Sequence, residues 1–317
     1  MLGPEFGEDA SMRAIMVRTL YGLNSVDVSF CNYLADCMRH FGFESCKAYH
    51  NVWFKPIVRK DDGHQYYACC LLYVDNILMI HHYGEKALEE IDHFFKTKPN
   101  LVGDPGYYLK AKLCPMTLPN GGIAWRMSAS KYVQAAVVVV EAYHEREYPT
   151  RRWDKRTSGP FPSNCAPELD TNDLLDHEKS AFYQSQIGVL RWIVELGRID
   201  IIMEVSELSS FLAMPCEGHL NAVVHLFNFL EKRHNARVVF DPNYPMIDMS
   251  SFKECDRSLF YGYLHEAIPP NAPEPRWKDV DLCMFVNSIY AGDEQTRRSR
   301  TCFLIFLNMA PIVWFSK

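Results

Sequence analysis

From Ser25 to Phe41 the apolar side chains Val26, Phe30, Leu34, Cys37 and Phe41 recur at steps of three and four. That spacing lines one face of a helix, and Gly42 follows where such a helix needs a left-handed stop. The period then changes. Residues 51–59 and 66–74 are dense in aliphatic and aromatic side chains, and Lys60, Asp61, Asp62 and Gly63 lie between them. This predicts two strands joined by a turn. Asp75 and Asn76 come directly before a further apolar run, Ile77 to Ile80, which predicts a tight hairpin with a carboxylate at its tip. Residues 85–95 read as a helix with Leu88, Ile91, Phe94 and Phe95 on its buried side.

Further along, Tyr107 to Leu118 and Gly122 to Met127 flank Pro119, Asn120 and Gly121, and predict a second hairpin. Ser128 is placed to cap a helix reaching Tyr143, although the run Val137 to Val140 is β-branched and disfavours helix. Pro160, Pro162 and Pro167 mark 156–172 as a connection. Helices are predicted over 177–196 and 217–233, and a strand over 237–240. Residues 266–279 hold Pro269, Pro270, Pro273 and Pro275 and read as an inter-domain linker. Strands follow at 282–286, 301–308 and 312–315. The fold class expected from this order is α+β.

With 317 residues, 48% of them hydrophobic, the chain exceeds what one core organises, since single cores stop growing near roughly 250–300 residues. The formal charge of −6 argues against a protein that coats nucleic acid over its whole surface, because phosphate affinity comes from Lys and Arg. Local contact stays open at two basic clusters: Arg151, Arg152, Lys155 and Arg156, and Arg297, Arg298 and Arg300. The eleven cysteines include no Cys-x-x-Cys with a matching downstream pair, so zinc ligation has no support in their spacing. The first residues lack the apolar run of a signal peptide, and no stretch reaches the ~18–20 apolar residues of a membrane span. The expected setting is a reduced intracellular compartment with no membrane contact, and the sequence predicts no particular protein partner.

A carboxylate lifted out of an apolar strand pair, as Asp75 is, suits a ligand for Mg²⁺ on nucleotide phosphates. Asp-Asn is also ordinary turn chemistry. His81 and His82 are adjacent, so on a strand they face opposite ways and do not share a metal.

Several ordered segments carry a resemblance. They are Val17 to Leu23, the Tyr73-Val74-Asp75-Asn76 hairpin, Ser130 to Val133, Ile187 to Trp192, Arg198 to Ile201 and Pro311 to Lys317. In this order they resemble the reverse transcriptase of copia-type retrotransposons. The resemblance implies an RNA-directed DNA polymerase with a tethered RNase H-like domain, acting on an RNA/DNA template-primer duplex in a cytoplasmic retrotransposon particle. Its two-metal chemistry uses Mg²⁺ held by three aspartates.

Carried over onto this chain, it implies a partial polymerase palm over 1–127, a helical thumb and connection over 128–265, a linker over 266–280, and the first strands of an RNase H-like domain over 281–317. Asp75 is then the remaining metal ligand and Tyr73 lies near the nucleotide pocket. Lys131, Tyr132, Arg151 and Arg152 are candidate nucleic-acid contacts. Asn76 stands where the family has the second hairpin aspartate, and Asn287 where the RNase H-like domain has a metal-binding aspartate. The early palm aspartate is expected to precede Met1. With two of three carboxylates missing, catalysis is expected to be lost. A palm sheet without its early strand is also expected to aggregate. The alternative is a domesticated, non-catalytic module that binds nucleic acid or protein.

Overall fold

The structure is a computed structural model and describes residues 26–74, 76–95, 103, 105–153, 157–162, 165–248, 250, 256, 258–262 and 279–317. The architecture is mixed α+β with antiparallel sheets. The described residues up to Gly103 form one compact unit and those from Pro105 onward a second. The segment Val17 to Leu23 and the proline-rich stretch 266–278 lie outside the described residues.

The first unit begins with α1 (Val26–His40). Gly42 ends it at φ 77, and the amides of Gly42 and Phe43 return to the carbonyls of Arg39 and Met38. This is the paired C-terminal motif that only a left-handed residue closes, with Phe43 and Met38 buried together beside it. Next come β1 (Glu44–Ser45), β2 (Val52–Val58), β3 (Gln65–Tyr73) and β4 (Asn76–Ile80), paired antiparallel in that order. Trp53, Ala68, Cys70 and Leu72 alternate toward one face and form a core with Leu34, Met38, Phe43 and Ile91. The predicted 85–95 helix is the shorter α2 (Gly84–Asp92). Phe94 and Phe95 sit in the turn beyond it, where Phe95 meets Phe30 and Tyr33 edge-on while Phe94 stays half exposed.

In the second unit the predicted 107–118 strand is broken. Leu109 and Lys110 adopt φ 50 and 73, so β5 (Tyr107–Tyr108) folds back on β6 (Ala111–Thr117). β7 (Ile123–Ser128) and β8 (Val238–Phe240) complete this sheet. Ser128 does not cap the next helix. Its hydroxyl donates to the carbonyl of Ala236 at 3.1 Å, and α3 (Ser130–Glu147) starts after Ala129 without a side-chain cap. The helix carries the valine run without a break because Val133, Val137, Val140 and Tyr143 enter the core at helical steps. Val138 and Val139 are left facing solvent.

α4 (His177–Glu195), α5 (Ile202–Leu208) and α6 (Glu217–Lys232) supply most of the remaining core. Tyr183 at its centre is fully buried, and its hydroxyl donates to the Leu208 carbonyl at 2.6 Å. Arg198 is 1% exposed and lies in a bidentate pair with Asp200, both contacts 2.8 Å.

A separate sheet of β9 (Leu282–Ile289), β10 (Arg300–Leu307) and β11 (Ala310–Ser316) runs in the order β11-β10-β9. Trp314 donates its indole N–H to the Val194 carbonyl at 3.1 Å, and Arg300 pairs with Glu207 at 2.9 Å, so the face bearing Trp314 docks on α4 and α5. The register puts Met284, Val286, Phe303, Ile305, Val313 and Phe315 on the opposite face, which is apolar and largely exposed.

Candidate functional site

The sheet of the first unit has two unlike faces. One is sealed under α1 and α2. On the other, the register aligns Phe54, Cys69, Leu71, Tyr73, Asn76, Leu78 and Ile80, and all of these are half-buried or exposed. Tyr73 and Asn76 pair across the β3–β4 turn, so Val74 stands at the first position of a two-residue connection. Asp75 lies outside the described residues. Val74 has φ 53 and is half exposed. A two-residue hairpin loop demands positive φ at its first position, which glycine or asparagine meets without strain. A β-branched residue there is an outlier, and such strain gathers at sites whose geometry serves something other than stability.

The chemistry on this face is mild. Burial raises the Cys69 thiol, whereas its neighbour Cys70 lies on the sealed face, where burial pushes the thiol up to about 12. His81 and His82 lie just beyond β4 rather than on it. They do turn to different partners: His81 Nδ1 accepts the amide of Tyr83 at 2.8 Å, while His82 Nε2 approaches Asp61 at 3.8 Å.

Asn287 sits on β9 opposite Cys302, on the Trp314 side of its sheet, and is exposed. Lys131 is exposed at the start of α3 with its Nζ 5.0 Å from the Tyr107 ring centre. Tyr132 packs against the core, and burial raises its hydroxyl. Arg151 lies 5.1 Å from the Tyr148 ring centre and donates to Asn221 Oδ1 at 3.3 Å. Arg152 is exposed beside it, and Lys155 and Arg156 lie outside the described residues. Lys131 and Arg151 are therefore at opposite ends of α3, not in one pocket.

A cavity of about 470 Å³ opens between α4, α5 and β11, with Arg191, Arg300, Ser209 and Trp314 on its walls. Two of its three lining cations are engaged, Arg300 by Glu207 and Arg191 by the Ser209 hydroxyl at 3.0 Å, and Lys317 is the third.

One cluster was not legible from cysteine spacing. Cys216, at the N-cap of α6, and His219, three residues on, come together with Asp170 from the turn after Pro167–Leu169, their ligand atoms all within 4.8 Å of one another. His219 is 4% exposed. Its Nδ1 accepts the Cys216 amide at 2.9 Å and its Nε2 lies 2.8 Å from the Pro167 carbonyl. A carbonyl only accepts, so Nε2 carries the ring proton. The Cys216 side chain accepts from the His219 amide. Burial pushes the Cys216 thiol up, and the Asp170 charge adds to this. Asp170 Oδ1 takes the amide of Asn172 at 2.9 Å, whereas Oδ2 is buried with no hydrogen-bond partner. The approach is close enough that a methyl group at Gly218 would collide with the Asp170 carboxylate. The signal was a Cys-x-x-His step with its third member 46 positions earlier, which a search for paired Cys-x-x-Cys passes over.

Among the described residues no helix is long and apolar enough to cross a membrane. No protein-family model, no curated protein and no solved structure matches the chain.

Proposed function

We propose that this chain is related to the reverse transcriptase of copia-type retrotransposons, with a polymerase site that no longer turns over. The ordered sequence segments suggest the family, and one observation supports a site at the hairpin: the strained Val74 between Tyr73 and Asn76, at the edge of a half-exposed sheet face. In this reading Asp75 is the remaining Mg²⁺ ligand and Tyr73 flanks the nucleotide. Asn76 is a neutral amide at a position that needs charge, and Asn287 is the same substitution in the RNase H-like part. The native ligand would be an RNA/DNA template-primer duplex.

The test is metal binding at the tip, followed by Mn²⁺ paramagnetic resonance on the full chain. Asn76→Asp is expected to tighten Mn²⁺ binding at least tenfold, and Asp75→Asn to abolish the gain. No change in Asn76→Asp would sink the site assignment. Mg²⁺-dependent primer extension on an RNA template is expected to be absent from the unaltered chain, and extension would overturn the loss of catalysis.

A non-catalytic nucleic-acid-binding module is the second reading. It is favoured by the cation–ring pairs at the two ends of α3, whose 18 residues span about 27 Å. Duplex binding that weakens steeply with salt, and whose salt slope falls in Lys131→Gln and Arg151→Gln, would support it. Binding that ignores salt would remove it.

A further inference from the structure

We propose that Asp170, Cys216 and His219 form a binding site for a zinc-class divalent cation, with Asp170 Oδ2, Cys216 Sγ and His219 Nδ1 as its ligands. The site is independent of the polymerase reading, in both its residues and its metal.

Three observations point to a cation. The first is the donor set: one thiolate, one imidazole and one carboxylate is a mixture that suits Zn²⁺ and not Mg²⁺, which takes oxygen alone. The second is the orientation of His219. A metal-bound histidine generally donates its other ring N–H to a carbonyl or carboxylate, which fixes the tautomer. Here Nε2 donates to the Pro167 carbonyl at 2.8 Å, leaving Nδ1 as the lone-pair nitrogen on the side of Cys216. The third is Asp170 Oδ2, a buried carboxylate oxygen with no hydrogen-bond partner. A buried orphan of that kind calls for an ion or a water.

The geometry closes with modest movement. Ligand atoms around tetrahedral zinc lie roughly 3.5 Å apart, given bonds of about 2.0–2.3 Å. The three atoms here are within 4.8 Å, so contraction of about 1 Å suffices. Two ligands stand one turn apart on the rigid start of α6, and the third is fixed by the Asx turn to Asn172. Binding costs the hydrogen bond from the Cys216 amide to Nδ1 and releases the Cys216 thiol proton as the Zn–S bond forms. Affinity therefore falls as pH is lowered. Three protein ligands leave one position for water.

The same residues also cap α6, so the test has to separate capping from ligation. Serine at an N-cap followed three residues later by glutamine is a preferred capping pair. Cys216→Ser combined with His219→Gln thus keeps the cap and removes two ligands. The full chain and this variant would be titrated with Zn²⁺ against a chromophoric chelator, and with Co²⁺ by near-ultraviolet absorption. Comparison with the variant is essential because the chain has eleven cysteines.

The expected result is one more equivalent of tight Zn²⁺ in the native chain than in the variant. A thiolate-to-cobalt charge-transfer band should appear in the native chain and be lost in Cys216→Ser alone. Asp170→Asn, which keeps the turn to Asn172, is expected to weaken Zn²⁺ at least tenfold. Equal Zn²⁺ stoichiometry in native and variant chains, or a thiolate–cobalt band that persists in Cys216→Ser, would overturn the proposal and leave the cluster as a helix cap.

Discussion

Replacing Val74 by asparagine removes a cost that the hairpin now carries. At φ 53 the valine Cβ crowds its own backbone, and a non-glycine residue in this region costs roughly 1–2 kcal/mol. Asparagine tolerates the conformation, so Val74→Asn is expected to stabilise the β3–β4 hairpin by about 1 kcal/mol. That is about fivefold in an opening equilibrium. Glycine relieves the same contact but adds roughly 0.5–1 kcal/mol of freedom to the unfolded chain, so Val74→Gly should fall between asparagine and valine. Proline holds φ near about −65° and should be worse than all three.

Hydrogen exchange read peptide by peptide is the right assay, because β3 and β4 are reported separately from the second unit. Amides of Leu71, Leu72, Leu78 and Met79 should exchange about fivefold more slowly in Val74→Asn and faster in Val74→Pro. If asparagine leaves exchange unchanged and proline is tolerated, the tip is not left-handed. The strain that supports a site there then vanishes with it.

Two further outcomes follow from buried charge. Asp200→Ala leaves the Arg198 guanidinium buried without its bidentate partner. Because Asp200 itself is 42% exposed, the loss is expected at the low end of the range for broken buried pairs, about 3 kcal/mol. A urea midpoint unchanged from the native chain would refute the pairing. Burial holds the Glu204 carboxyl above its ordinary value, so its ionised form is penalised in the folded state. Glu204→Gln should therefore be more stable than the native chain at neutral pH. The advantage should shrink as pH falls through the raised Glu204 value and be gone below the unfolded value of about 4.3. Thermal melts at several pH values check it, and an advantage that grows toward acid would reverse the sign.

Local pattern carried most elements. The steps of three and four in α1, and Gly42 after it, mapped directly onto a helix and its left-handed stop, because both depend only on neighbours in sequence. Departures arose where distant residues decided the outcome. Ser128 had the chemistry of a cap, but the Ala236 carbonyl took its hydroxyl. The valine run in α3 resisted helix by propensity, yet Val137 and Val140 were recruited by the core. α5 spans only seven residues, too few for a period to show. The Asp170 cluster was hidden for the same reason, since its third member reaches Cys216 and His219 only through the packing of the 167–169 turn on α6.

The sheet of β9, β10 and β11 has a bearing on the protein's life in a cell. Val286, Met284, Val313 and Phe315 offer water a continuous oily plane beside an open strand edge. Holdase chaperones recognise surfaces of this kind, and so do other copies of the same strand. Shielding that plane, by a chaperone or by a second copy, is therefore favoured over leaving it in water.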